Sequence, residues 1–350
     1  MSKGARVLAW VAVAVAVLTV QATADVFNMP SGLTSLETVA VGDPGNTGEL
    51  SGYEQGIDRI CGAVGYAYNI GKYEVTAGQY TQFLNAVADA DTYGLYNADM
   101  WSNSYGCKIQ QTGSPGSFSY SVDPNWANRP VNYVSFGDSA RFANWLHKGQ
   151  PIGAQGLSTT EDGAYFLNGA TTNAQLLAVS RESDWKWAIT GEDEWYKAAY
   201  YKGGSTNAGY WDYPTATDST PSNDLLTPDP GNNASFYQDG HTLDSPYYRT
   251  EVGEFENSDS PYGTFDQGGN VWEWNESILY GSYHGLRGGS FYGHHDYYLR
   301  ASHRNYGDDS PADEGLYVGF RVSEVPEPGT LSILALCLVG SLTRRKCLRR

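Results

Sequence analysis

Apolar residues recur with helical spacing at three places in the chain. Thr76-Ala77-Gly78-Gln79 is a capping-box pattern, and Tyr80, Phe83, Leu84 and Val87 follow it on one face. A second helix is predicted after Ser135, with Asp138 three residues on and Phe142, Trp145 and Leu146 facing inward. A third is predicted after Thr190, with Asp193 as the reciprocal cap and Trp195, Ala198 and Ala199 packed inside. Alternation over Tyr66–Ile70 reads as a strand ending at Gly71, and 270–274 and 315–322 read as core strands. Residues 203–233, rich in Gly, Pro, Ser, Thr and Asp, show little periodicity and read as loop.

The two ends carry a different pattern. Lys3 and Arg6 precede an apolar run from Val7 to Val20, and Ala22-Thr23-Ala24 offers a small-x-small cleavage site. That order predicts a signal peptide over 1–24, since the run is short for a membrane span. Residues 25–61 read as a lead-in of strand and loops. At the other end, Val325-Pro326-Glu327-Pro328-Gly329 precedes an apolar stretch, Leu331 to Leu342, and then Arg344, Arg345, Lys346, Arg349 and Arg350. This three-part tail, 325–350, resembles the PEP-CTERM sorting signal. The resemblance implies transient anchoring in the inner membrane, cleavage by an exosortase and display at the cell surface or beyond. The basic cluster would stay cytoplasmic.

Composition then narrows the function. The ends hold seven of the 22 basic residues and one of the 39 acidic ones, leaving 15 basic against 38 acidic, a net charge of −23. Nucleic acid, which needs a basic footprint, is not an expected partner. Of the four cysteines, Cys337 and Cys347 lie in the tail, and Cys61 and Cys107 form a disulfide candidate in an oxidising compartment. No nucleophile elbow, P-loop or dinucleotide fingerprint is present.

Ordered motifs run through residues 62–323. Ile70-Gly71-Lys72-Tyr73-Glu74-Val75-Thr76 comes first, then Pro130-Val131-Asn132-Tyr133-Val134-Ser135-Phe136 and Thr190-Gly191-Glu192-Asp193-Glu194-Trp195. Gly269-Asn270-Val271-Trp272-Glu273-Trp274, Leu286-Arg287-Gly288-Gly289-Ser290-Phe291 and Gly319-Phe320-Arg321 complete the set. Together they resemble the formylglycine-generating enzyme (sulfatase-modifying factor) domain. The resemblance implies an α+β, C-type-lectin-like fold with sparse regular structure and long loops.

It also implies where chemistry should sit. Members that make formylglycine hold copper with two cysteines, and those positions fall here on Gly293 and Tyr298. Cu(I) wants sulfur ligands, so copper and formylglycine-generating oxidase activity are not expected and no catalytic residue is assigned. Calcium is the expected cofactor. One family site falls on the Asp266 and Glu273 side chains with the Gly269 and Val271 carbonyls. The other falls on Asn233 or Ser235, the Phe236 carbonyl and Asp244. Oxygen-only ligands suit this hard cation. The family's ligand groove falls on Trp272, Ser290, Tyr292, His294, His295, Tyr297, Arg300 and Arg304. His294, His295 and Asp296, with His284 and His303 nearby, could suggest a two-His, one-carboxylate iron site, but adjacent histidines on a strand point to opposite faces.

Three functions follow as expectations. The first is a calcium-stabilised, non-catalytic extracellular or matrix protein that binds glycan or peptide. The second is an enzyme of the same fold with changed metal-dependent oxidase chemistry. The third is a ligand-display protein with a variable binding surface.

Overall fold

The computed structural model describes residues 27–52, 58–293, 295–305 and 309–325. The expected signal peptide, nearly all of the sorting tail and His294 lie outside them. No helix among the described residues is long and apolar enough to cross a membrane.

The capping boxes read from the sequence start the first two long helices. Helix α1, Ala77–Val87, begins at Thr76, whose hydroxyl accepts from the Gln79 amide while the Gln79 side chain accepts from the Thr76 amide. Two short helices fall later in the chain, α2 at Asp99–Ser102 and α4 at Asn173–Leu176. Between them α3, Phe136–His147, is capped by Ser135 and Asp138 in the same reciprocal way. Helix α5, Glu192–Tyr200, starts one residue later than the pattern suggested. Gly191 is its cap, and Glu194 rather than Asp193 closes it by accepting from the Gly191 amide. Asp193 turns away to accept from the Gly62 amide and Arg59. A glycine cap has no side chain to compete, so the glutamate three residues on fixes the register.

Eleven short strands are named among the described residues. One sheet joins β1 (Thr38–Val41), β4 (Tyr68–Gly71), β11 (Val322–Glu324) and β7 (Trp187–Ile189), all antiparallel. A second sheet has β8 (Trp272–Leu279) at its centre, antiparallel to β9 (Tyr283–Arg287) and parallel to β10 (Val318–Gly319). The pairs β2 (Glu49–Ser51) with β3 (Arg59–Cys61), and β5 (Ile109–Thr112) with β6 (Ser119–Val122), are separate hairpins. The single strand expected over 315–322 is thus two strands in two sheets. Phe320 and Arg321 lie between them, with Phe320 packed edge-on against Phe142 at 5.3 Å and Arg321 on Glu273.

The core is aromatic. Tyr80, Phe83, Phe142 and Trp145 from α1 and α3 meet at ring separations of 5.3 to 6.2 Å. Trp274 is fully buried and donates its indole N–H to the Val134 carbonyl, the partner a buried indole needs. The fold is α+β with long loops, and residues 203–233 contain no named strand or helix.

Candidate functional site

The segment after β9 carries the positions expected to matter. Gly288 and Gly289 adopt φ of 99° and 77°. A β-carbon on Gly288 would lie 2.8 Å from the Gln267 carbonyl oxygen, so glycine is required at this crossing. The chain then turns at Ser290, whose hydroxyl donates to the Tyr292 carbonyl and accepts from its amide. A 3-10 turn over Asp296–Leu299 brings Tyr298 back beside Gly293. A β-carbon at Gly293 would lie 3.5 Å from Tyr298 Cε2. The two positions are therefore spatial neighbours, and the tyrosine ring covers the glycine.

Around them lies an aromatic surface. Tyr292 is 45% exposed and stacks on Tyr317 at 6.1 Å. Tyr105 joins it at 5.6 Å and continues to Tyr248 at 4.6 Å. On the other side exposed His295 stacks on Tyr297 at 4.8 Å, and Tyr297 meets Tyr298 at 4.4 Å. Arg300 is partly exposed, donates to the Tyr213 hydroxyl at 2.8 Å and pairs with Asp296. It lines a separate cleft of about 340 Å3 with Asp212, Asp218 and Thr220.

Three of the expected ligand contacts are buried instead. Trp272 packs under Tyr298 and His303, Ser290 serves its own turn, and Arg304 is 3% exposed and bound to Glu192. His294 lies outside the described residues. His303 is buried against Tyr297 and Tyr298, and burial next to Arg287 lowers its pKa to about 3. His284 stacks on Phe136 at 3.5 Å in the core, with burial lowering its pKa to about 4. The histidines near in sequence are thus dispersed.

Beneath this surface is a centre of buried charge. Glu192 accepts from Arg287 at 2.8 Å, Arg304 at 2.6 Å and Arg59 at 3.0 Å. Burial alone would raise its pKa, but Arg287 and Arg304 hold the carboxyl well below the ordinary range. The expected bridge between Cys61 and Cys107 is not formed. Both are buried free thiols in different core clusters. Cys61 lies 3.4 Å from Arg287 Nη2, and burial beside Glu192 raises its pKa to about 11. Cys107 lies below the Asn132 carbonyl.

The calcium candidates divide. No group of three or more His, Cys, Asp or Glu is gathered to hold a metal among the described residues, so an ion here would rely on backbone carbonyls and amides. Glu273 is already held by both arms of Arg321, at 2.6 and 2.7 Å, and by the Trp195 indole at 2.7 Å. Asp266 is less committed. One oxygen accepts from the Gly253 amide, and burial raises its pKa to about 6. Glu74 is fully buried, burial and the charge of Asp266 raise its pKa, and neither of its carboxylate oxygens accepts a bond from another residue. In the second set, Asn233 bonds to Asp229, the Phe236 carbonyl accepts from Asn223 and Thr242, and Asp244 is exposed.

One concavity was not legible in the sequence. A cleft of about 500 Å3 opens at the start of α5, lined by Arg59, Tyr66, Arg181, Trp185 and Glu276 among others. Its residues come from four separated segments with no shared motif, so no local pattern signals it.

Residues 63–325 match the family model described as sulfatase-modifying factor enzyme 1-like domain, and 324–350 match the PEP-CTERM protein-sorting motif. Treponema denticola variable protein 1 is similar over 84% of this chain and 96% of its own, at 19% identity and a TM-score of 0.48. A structure titled CarF is similar over 83% and 98%, at 18% identity and a TM-score of 0.46. PvdO from Pseudomonas aeruginosa is similar over 83% and 95%, at 19% identity and a TM-score of 0.43. No functionally curated protein matches the chain.

Proposed function

The chain belongs to the sulfatase-modifying factor enzyme 1-like family, and we propose that it is a non-catalytic member that binds glycan or peptide outside the cell. It is an exported protein sorted to the cell envelope, and its PEP-CTERM motif marks it for exosortase processing. A cleaved signal peptide, transient tail anchoring and final release from the inner membrane complete this reading.

One observation carries it. The family resemblance places the copper-binding thiol pair on Gly293 and Tyr298, and these two residues lie side by side. Glycine and tyrosine offer copper no sulfur. The described thiols, Cys61 and Cys107, are buried elsewhere, and neither is activated. The surface around the pair offers exposed or half-buried rings in Tyr292, His295 and Tyr297, with Arg300 on the same segment. Rings of this kind stack on sugar faces or peptide side chains at low entropic cost.

Calcium belongs to this reading as a scaffold ion. The donors fit it in part. Half-buried Asp266 and buried Glu74 have spare acceptor capacity, which a divalent cation would satisfy with the Gly269 and Val271 carbonyls. Glu273 does not fit, because Arg321 and Trp195 already occupy it.

The test pairs two assays on the purified protein. Incubated with copper and a cysteine-containing sulfatase peptide, it should form no formylglycine. On glycan and peptide arrays it should bind, and Tyr292→Ala with Tyr297→Ala should remove at least one of the hits. Formylglycine in the peptide, seen by mass spectrometry, would overturn the proposal.

A further inference from the structure

The cleft at the start of α5 has a lining whose charges close on themselves. Arg59 pairs with Glu192 at 3.0 Å and Asp193 at 2.5 Å. Arg181 pairs with Glu194 at 2.8 Å and Glu276 at 2.7 Å. Arg287 and Arg304 hold Glu192 from the core side. Four arginines therefore meet four carboxylates in this network. Among the described residues of this network, arginines and carboxylates are equal in number, so it carries no excess charge to select an ionic ligand. What remains is a dense set of donors and acceptors fixed in place by buried partners.

Two rings stand over this polar floor. Tyr66 is 43% exposed, and its hydroxyl donates to Glu194, which pins the ring. The half-buried ring of Trp185 lies 4.1 Å from the Arg181 guanidinium and meets Tyr66 edge-on at 6.4 Å. A ligand with apolar faces and hydroxylated edges matches this lining. Its faces stack on the rings, and each hydroxyl both donates and accepts. The volume is within the range of sites that hold small ligands. A polyanion would meet Asp193 and Glu276 in a chain of net charge −17. A cationic peptide would compete with arginines already seated.

We propose that this cleft binds a short stretch of neutral oligosaccharide, at a site separate from the aromatic surface around Gly293. None of the residues of that surface lines it. The site therefore stands whether or not the reading of that surface holds.

The test is calorimetric titration of the whole protein with neutral hexasaccharides (β-1,4-glucan, α-1,4-glucan and mannan), with a heparin hexasaccharide and a basic decapeptide alongside. At least one neutral sugar should bind. Tyr66→Ala and Trp185→Ala should each weaken it about tenfold, the scale of one lost stacking contact. Tyr66→Phe should retain binding. Should the alanine variants fail to fold, the fluorine resonance of 5-fluorotryptophan at position 185 in the otherwise unaltered protein should still shift when sugar is added. Three results would each overturn the proposal: no neutral sugar binding, preference for heparin or peptide, or loss of sugar binding with Tyr292→Ala but not Tyr66→Ala.

Discussion

The buried network around Glu192 and the aromatic surface around Gly293 are built from adjoining stretches of chain. Arg287 enters the first, and Tyr292 to Tyr298 form the second only a few residues later. The first is buried at its centre, with Glu192, Arg287 and Arg304 nearly fully buried and both Glu192 oxygens engaged, and it reaches solvent at the cleft through Arg59 and Asp193. The second is open, with Tyr292 and His295 exposed and the rings of Tyr297 and Tyr298 in contact at 4.4 Å. Two motif residues, Glu192 and Arg287, pair in the first region. The second can carry glycine and tyrosine at its central positions because no buried charge depends on what stands there.

Removing one partner of the closed network should show this most strongly. Glu192→Ala leaves Arg287 and Arg304 buried and unpaired, and should cost about 3–5 kcal/mol of unfolding free energy in denaturant titration. A loss below about 1 kcal/mol would show that water reaches the site and that the contrast is overstated.

The Asp266–Glu74 pair lies between the extremes. Calcium at 100 times its dissociation constant should raise stability by about 2.7 kcal/mol. Asp266→Asn should abolish that gain, read as loss of the calcium-dependent shift in melting temperature. A calcium shift of the same size in the variant would exclude this site.

A third buried acid gives a pH signature. Burial and the neighbouring Asp138 raise the Glu314 pKa from 4.5 to about 8, with Asn97 and Asp91 also facing it. The folded state thus holds the proton more tightly than the unfolded chain. Its contribution is complete below about pH 4.5 and is lost as pH rises through about 8. Melting temperature should fall across that window, and Glu314→Gln should flatten the fall.

The smallest stability effect belongs to the open surface. Tyr292→Ala should change unfolding free energy by about 0.5 kcal/mol or less, as exposed substitutions do. A larger loss would mean that the surface is part of the core.

Much of the scaffold was legible because it is written locally. Thr76 with Gln79 and Ser135 with Asp138 are three residues apart, so each pair declares its helix start by itself. The third start slipped by one residue because Gly191, lacking a side chain, left the choice to Glu194. Arg304 was expected on the ligand groove and instead forms an internal ion pair. Its segment is polar and aromatic, and only packing shows that it points at Glu192. Trp272 and Ser290 misled for the same reason, since sequence position near a site does not fix which way a side chain faces. Cys61 and Cys107 looked like a pair because only two thiols remained, yet they pack in separate clusters.

By itself, then, the sequence determined the helix caps, the ordered motifs, the sorting tail and the absence of thiols at positions 293 and 298. These depend on residue identity over short spans. Tertiary structure alone decided that Gly293 and Tyr298 are neighbours, that Glu273 is occupied, and that Arg59, Tyr66, Arg181 and Trp185 share a cleft. Those facts depend on long-range closure of the chain around buried charge, which no local pattern encodes.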